Sequence, residues 1–235
     1  MKTMKLKFVF AGALSLLIGL NKSSAQGSSQ LRAGINLANV SVNDNGRVDD
    51  ANSLTSFQVG FLGDVPLAGK FLSLQPGILF TGKGSKIQRG TATENGYFKQ
   101  TSNPYYIEVP VNLVFKAPIG GDNRFFVGAG PYLGVGIAGK NKTEGRNIIG
   151  TYNSESDIQF SDDDPATLSE EEGTGFGVIK RFDYGLNGTA GIEGKTIVLG
   201  VGYGLGLAKL QSGSNNNQDN NNKHRVFSIT VGFKL

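Results

Sequence analysis

The amino-acid sequence predicts an all-β fold, an eight-stranded antiparallel up-and-down transmembrane β-barrel, and three observations carry this prediction. The first is the apolar/polar alternation of the final segment, 226–235, in which every odd residue from Phe227 to Leu235 is apolar and the even residues from 228 to 234 are Ser, Thr, Gly and Lys. A period of two is typical of a strand with one apolar and one polar face. The second is an N-terminal export signal, and the third is the alternation of short and long connections between strands.

The export signal occupies residues 1–25. Three lysines precede an apolar stretch at 8–20, and the small residues Ser23, Ser24 and Ala25 follow it. This layout is typical of a cleaved signal peptide, and its apolar part is too short to span a bilayer comfortably. We therefore expect cleavage after Ala25, which leaves one outer-membrane β-barrel domain at 26–235.

The charge balance argues against a nucleic-acid partner. The chain has 23 basic and 19 acidic residues, but the leader contains four of the lysines and no acid, so the mature part is balanced at 19 of each. The excess of positive charge belongs to the export signal and indicates no basic binding surface. The absence of cysteine excludes lipoprotein modification, disulfides and thiolate metal sites.

Seven further segments repeat the alternation of the last one. The predicted strands are 31–39, 56–64, 71–83, 105–116, 125–138, 181–193, 196–208 and 226–235. Each has the roughly nine to eleven residues, or slightly more, that a tilted membrane strand requires. Glycine accounts for 35 of 235 residues, about twice the usual share, and many glycines are two apart on the polar face.

The connections between these segments alternate in length. Three are short, at 65–70, 117–123 and 194–195; four are long, at 40–55, 84–104, 139–180 and 209–225. Outer-membrane barrels have short periplasmic turns and long extracellular loops, with both termini on the periplasmic side. We therefore expect the barrel to stand in the cell outer membrane with its long connections outside the cell.

The apolar face is expected to meet lipid. Aromatic residues on this face collect near the predicted strand ends, as in interfacial girdles. At the end with the long connections, which we call the upper end, they are Phe57, Phe80, Tyr105, Phe182, Tyr184 and Phe227; at the lower end, with the short turns, they are Phe115, Phe125 and Phe233. The opposite face carries the polar residues Arg32, Asn36, Glu108, Asn112, Lys116, Asp183, Asn187 and Glu193.

Eight strands enclose an interior that side chains can fill. We expect the inward acids and bases to pair across it, because an unpaired buried charge is costly, and the inward glycines to make room for long side chains. A structural plug is the favoured interpretation of these charges, and a proton or ion path is the alternative.

Three segments carry the resemblance to a known family: Leu31-Arg-Ala-Gly-Ile-Asn-Leu-Ala-Asn39, Tyr106-Ile-Glu-Val-Pro-Val-Asn-Leu-Val114 and Phe126-Val-Gly-Ala-Gly-Pro-Tyr-Leu-Gly134. The mature chain resembles the small outer-membrane β-barrel proteins of Bacteroidota that are often labelled the PorT family. The resemblance implies the barrel architecture and a link to type IX protein secretion, but it places no functional residue on this chain. One departure is the C-terminal residue: barrels of this kind usually end in an aromatic, and this chain ends in Leu235.

Two motifs that suggest catalysis or cofactor binding are weak. Residues 134–139 match GxGxxG, but a dinucleotide site needs a helix after the glycines, and the polar sequence 140–145 predicts a loop. His224, the only histidine, lies at a strand mouth beside the polar tract 215–222 and has no evident nucleophile or orienting acid. The sequence therefore predicts no catalytic residue and no cofactor.

The connection 139–180 contains an acidic stretch, 151–177, with eight acids and no base. Clustered carboxylates can hold Ca²⁺, but the spacing here lacks the alternation that directs ligands inward. A solvated acidic loop is favoured and no metal site is predicted; a short helix at 165–172 is compatible with Asp164 as its cap.

The functional prediction is a non-enzymatic outer-membrane protein whose exposed loops bind, shield or support the envelope. Its expected partners are outer-membrane lipid, lipopolysaccharide and the barrel-insertion machinery, and we expect a monomer. A soluble lipocalin-like lipid-binding barrel would need its apolar face inside, which the inward charges disfavour. A rim enzyme or a pore is the third possibility, although eight strands are too few for an open aqueous channel.

Overall fold

The computed structural model describes residues 27–41, 53–69, 71–160, 178–210 and 223–235. The predicted signal peptide at 1–25, the possible helix at 165–172 and the polar tract at 215–222 lie outside these residues. Within the described ranges, no helix is long and apolar enough to cross a membrane.

The described chain forms twelve strands. They are β1 (Ser28–Ser41), β2 (Leu54–Ala68), β3 (Leu72–Gly82), β4 (Ser85–Arg89), β5 (Phe98–Gly120), β6 (Asn123–Asn147), β7 (Gly150–Asp157), β8 (Gln159–Phe160), β9 (Val178–Ile179), β10 (Phe182–Glu193), β11 (Ile197–Gly206) and β12 (Lys223–Lys234).

Eight of these strands close into a barrel. Neighbouring strands pair in the order β1-β2-β3-β5-β6-β10-β11-β12, and β12 returns to β1. Every one of these pairings is antiparallel; Ile35, for example, lies opposite Phe57 on one side and Ile229 on the other. The predicted fold class is confirmed, and each predicted strand corresponds to one barrel strand.

The alternation of the sequence becomes the two faces of the barrel wall. In β12 the even residues from His224 to Gly232 are buried, whereas Phe227 and Ile229 are exposed on the outside. The same holds in β5, where Tyr106 and Glu108 point inward and Leu113 and Phe115 outward. The outer surface is thus an apolar belt, and a chain with such a belt is stable only where lipid covers it.

Inward glycines allow the wall to curve tightly. A Cβ atom at Gly60 would stand 2.0 Å from the carbonyl oxygen of Ile78, and one at Gly130 would stand 1.9 Å from that of Val111. Both positions face the neighbouring strand so closely that no side chain fits. The high glycine content therefore reflects close backbone approach as well as room for long interior side chains.

Aromatic rings mark the upper end of the apolar belt. Phe57, Phe80 and Tyr105 come from three adjacent strands, and their ring centroids lie 5.3 to 6.0 Å apart. Such a group at a strand end matches the interfacial girdle that the sequence predicts on this side.

Two long connections contain strands that the sequence analysis placed in loops. β4 pairs with the upper part of β5, and the upper part of β5 pairs on its other side with the upper part of β6. β7 in turn pairs with β6, as far as Asp157. The loop predictions for 84–104 and for 139–157 are therefore wrong. These strands have no apolar face, so their hydrophobic pattern gives no signal, and backbone pairing alone continues the barrel strands upward. We call this four-stranded extension, residues 85–104 and 139–157, the ribbon.

Candidate functional site

A group of charged and aromatic side chains, which we call the upper cluster, lies in the barrel interior. Its centre is the ammonium of Lys83, which lies 2.6 Å from Glu108 Oε2 and 2.8 Å from Asp183 Oδ2. Tyr132 donates a hydrogen bond to Asp183 (3.1 Å), and its ring lies 4.0 Å from the Lys83 nitrogen. Asn187 donates to the other Glu108 oxygen at 2.9 Å. All the charges in the cluster thus have direct partners, which a low-dielectric interior requires.

His224, which the sequence placed at a strand mouth beside the polar tract 215–222, is part of the interior. It is 1 % exposed, and its Nε2 lies 3.3 Å from the hydroxyl of Tyr106. Its ring contacts the Tyr106 ring edge-on, and Phe160 contacts Tyr106 in the same manner. The prediction overlooked that position 224 keeps the inward parity of β12.

Short segments cap the upper mouth of the barrel. β8 and β9 pair in parallel, and the guanidinium of Arg181 donates to the carbonyl of Phe160 (3.1 Å). Ile158, Ile179 and Leu210 are buried. Ile179 and Leu210 line one small space together with His224, so apolar side chains of the described residues pack at this end of the interior.

A second charged group, the lower cluster, lies near the short-turn end. Lys116 contacts Asp64 at 2.5 Å and Glu193 at 3.0 Å. Arg124 and Lys234 also approach Glu193, at 3.4 and 3.5 Å. The neighbouring apolar core of Val114, Phe126 and Val198 is almost fully buried. Charged pairs and packed side chains fill the interior at this level.

The structure places the eight polar residues singled out from the sequence on the interior face, and it groups them in three ways. Glu108, Asp183 and Asn187 meet in the upper cluster, and Lys116 and Glu193 meet in the lower cluster. The other three are Arg32, Asn36 and Asn112. Asn36 donates to the Thr81 hydroxyl at 2.9 Å and to the Gly82 carbonyl at 3.1 Å. Arg32 and Asn112 line an interior cavity of about 60 Å³.

Sequence reasoning missed the residue at the centre of the upper cluster, Lys83, and also Asp64 in the lower one. Lys83 has the same parity as the buried Ser73, Gln75 and Thr81 of β3, so the alternation of the strand indicates that its side chain faces the interior. Lys83 and Asp64 are the last residues of the predicted strands 71–83 and 56–64, and neither was included among the predicted interior residues. The sequence does not show which carboxylates contact Lys83, because this depends on the relative stagger of strands that are far apart in sequence.

The ribbon carries exposed ion pairs. Lys99 lies 3.0 Å from Glu144, and Glu155 contacts both Lys140 and Lys142, the latter at 3.1 Å. The hydrogen bonds from Lys140 and Lys142 lower the pKa of Glu155, and the bond to Glu155 raises the pKa of Lys140. The interpretation of 151–157 as part of a solvated acidic loop is therefore corrected; the rest of the acidic stretch, from 161, lies outside the described residues.

The tip of the ribbon presents two apolar residues. Ile148 and Ile149 are 90 % and 96 % exposed. The Asn147 side chain accepts hydrogen bonds from the backbone of Ile149 and Gly150, both at 3.0 Å, and so fixes the turn. An ordered turn that exposes large apolar side chains is a typical feature of a contact surface.

The residues that suggested metal, catalytic or cofactor chemistry in the sequence can be placed in the structure. In the described ranges, no group of three His, Cys, Asp or Glu residues is placed to hold a metal ion. His224 is buried and packs edge-on against the ring of Tyr106. The GxGxxG match lies within β6, where the glycines continue a strand and do not open a helix.

Comparison with known proteins shows the family. The family described as "Outer membrane protein beta-barrel domain" matches residues 24–212, so the chain belongs to it and resides in the outer membrane. Curated proteins gave no match. Solved structures with a similar fold include Ail, the attachment invasion locus protein of Yersinia pestis, solved with the heparin analogue sucrose octasulfate, at 13 % identity and TM-score 0.40; 89 % of this chain and 99 % of Ail are covered.

Neisserial surface protein A is similar at 15 % identity with the same TM-score and coverage, and OprG from Pseudomonas aeruginosa is similar at 12 % identity and TM-score 0.33, with 89 % of this chain and 96 % of OprG covered.

Proposed function

We propose that this member of the outer membrane protein β-barrel domain family is a non-enzymatic surface protein that binds or shields at the cell exterior through its ribbon. The barrel serves as the membrane anchor. The observation that carries this proposal is the ribbon itself, a paired sheet that continues the barrel strands beyond the aromatic girdle and exposes all eight residues of β7.

The ribbon has the properties of a preorganised binding surface. Continuous backbone pairing joins it to β5 and β6, and cross-strand ion pairs such as Lys99–Glu144 fix neighbouring side chains. A rigid surface loses little conformational entropy when it binds, which favours recognition. Ile148 and Ile149 at the tip add apolar contact area beyond the polar flanks.

The interior supports an anchoring role for the barrel over a pore. Apolar residues pack at the upper mouth, the two charged clusters fill the levels below, and the interior cavity of about 60 Å³ holds only a few water molecules. An eight-stranded barrel is just wide enough for side chains to fill it. We therefore expect no stable conductance when the purified protein is inserted into a planar bilayer.

A ribbon deletion tests the proposal. Cells that produce the full chain are compared with cells that produce a variant in which a short turn replaces 141–156, and equal amounts of folded barrel are verified by the gel mobility of unboiled samples. Adherence to surfaces coated with extracellular proteins and with sulfated polysaccharide is measured. The proposal requires that the deletion reduces adherence to at least one surface; unchanged adherence to all of them, or a steady open-channel current, contradicts it.

The remaining partners belong to the same proposal. An outer-membrane barrel with an apolar belt contacts lipid and lipopolysaccharide, is inserted by the barrel-assembly machinery, and in this case acts as a monomer. The resemblance to PorT-family proteins of Bacteroidota supports a second candidate, an accessory role in type IX protein secretion. Co-purification of cross-linked envelope proteins with the full chain and with the ribbon deletion distinguishes a secretion partner from an external ligand.

A further inference from the structure

We propose that the interior cavity is a binding site for one small monovalent inorganic anion, such as chloride, held by Arg32. The cavity lies in the barrel interior next to the upper cluster and has a volume of about 60 Å³. This site is separate from the ribbon and does not depend on what the ribbon binds.

Within the described part of the chain, Arg32 is a buried cation without a counter-ion. Arg32 is 7 % exposed, and its side chain makes one hydrogen bond to the described residues, from Nη2 to the side-chain oxygen of Gln30 at 3.3 Å. Its buried Nε has no hydrogen-bond partner there. Among the residues that the structure describes, no carboxylate lies within 4.0 Å of this guanidinium. A buried charge in this condition is costly unless a mobile ion neutralises it.

Further hydrogen-bond donors line the same cavity. Asn112 lines the cavity and is 4 % exposed; its Oδ1 is buried without a hydrogen bond in the described part of the chain, and its Nδ2 amino group is the donor it can offer to an anion. Gln58 and Ser228 also line it. A guanidinium together with neutral amide and hydroxyl donors is a suitable set of ligands for an anion, since each of these groups can direct an N–H or O–H toward it.

The one carboxylate that lines the cavity is already engaged. Glu108 binds Lys83 through one oxygen (2.6 Å) and accepts a hydrogen bond from Asn187 at the other (2.9 Å). Lys83 in turn is shared with Asp183. The upper cluster therefore satisfies its own charges by direct contact, and Arg32 is left to a different partner.

The size of the cavity selects the class of anion. A volume of about 60 Å³ corresponds to roughly four water-sized probes, far below the roughly 300–1,000 Å³ of pockets for organic ligands. A halide with a few water molecules fits this space. An organic acid such as gluconate does not.

Bromide diffraction locates the anion directly. The mature protein is crystallised from detergent with sodium bromide, and anomalous scattering is measured at the bromine absorption edge. We expect an anomalous peak inside the cavity beside Arg32, and its loss in Arg32→Met. Arg124→Met removes the same kind of charge from the lower cluster and should retain the peak. Water-like density without anomalous signal at this position in the wild-type protein overturns the proposal.

Thermal unfolding in solution provides a second test. The temperature at which the folded gel band converts to the unfolded band is compared in sodium chloride and in sodium gluconate of equal ionic strength. The wild-type protein and Arg124→Met should unfold at a higher temperature in chloride, and Arg32→Met should show no such difference. Equal chloride effects in Arg32→Met and the wild type, or no chloride effect in the wild type, contradict the anion site.

Discussion

The barrel interior and the ribbon use the same chemistry, lysine paired with carboxylate, in opposite environments. In the upper cluster the Lys83, Glu108 and Asp183 side chains are at most 7 % exposed, whereas Lys140 and Glu155 in the ribbon are 59 % and 43 % exposed. Water screens the ribbon pairs, so they contribute little to stability. The interior pairs have no such screening, and the loss of one member leaves a charge without compensation.

This difference leads to the largest expected effect. Lys83→Met leaves the Glu108 and Asp183 carboxylates together without their shared cation, and removing one partner from a buried pair costs about 3–5 kcal/mol. We expect this loss in the free energy of unfolding, measured by urea denaturation of the protein in lipid vesicles.

The compensating variant serves as the control for Lys83. Lys83→Met combined with Glu108→Gln and Asp183→Asn removes the buried charges as a set and should recover most of the lost stability. If the single and triple variants are equally unstable, the upper cluster is not held by its charges.

A smaller loss is expected in the lower cluster. Lys116→Met removes the contacts to Asp64 and Glu193, but Arg124 and Lys234 still approach Glu193 and Gln75 still donates to Asp64 at 3.4 Å. The expected loss is roughly 2–3 kcal/mol in the same urea measurement. A loss larger than that of Lys83→Met would reverse the ranking of the two clusters.

The inward glycines of the barrel wall allow close packing to be tested without a change in charge. Gly60→Ala places a methyl group against the carbonyl of Ile78, and overpacking of this kind costs roughly 1–3 kcal/mol. Gly188→Ala is the matched control, because a Cβ atom there meets no atom within 4 Å. Equal stability of the two variants would show that the wall does not need glycine at position 60.

The ribbon should show the smallest effect and a distinct pH dependence. Since the pKa of Glu155 is lowered in the folded state by Lys140 and Lys142, its contribution is present above the ordinary pKa of 4.5 and is lost as the pH falls through the lower folded value. The pKa of Lys140 is raised in the folded state. Its contribution to stability is therefore present below the ordinary value of 10.5 and is lost as the pH rises through the higher folded value.

Hydrogen exchange of the β6–β7 amides measures this dependence. Protection should be constant at neutral pH, after correction for the intrinsic exchange rate, and should decrease in acid in the wild type but not in Glu155→Gln. The urea midpoint of the barrel should be unchanged in Glu155→Gln. A large shift of that midpoint would mean that the ribbon and the barrel unfold as one unit.

The sequence predicted the barrel because each barrel strand has an apolar face that must meet lipid. The period of two assigned residues such as Glu108 and Asp183 to the interior and Phe57 and Phe115 to the outside. It did not predict the ribbon, because strands such as β7 are polar on both faces and are ordered by backbone pairing. It also did not reveal which charges meet, since Lys83 and Asp183 are 100 residues apart in the chain, and their contact depends on barrel stagger.

The direction of the two wall faces is the central claim, and adjacent residues of β12 test it directly. The chain contains no cysteine, so Ile229→Cys and Ser228→Cys each give one labelling site, on residues that are 58 % and 8 % exposed. Each variant is labelled with a small environment-sensitive fluorophore and reconstituted into vesicles that contain brominated lipid. We expect strong quenching at position 229 and little at position 228. Stronger quenching at 228 than at 229 would contradict it.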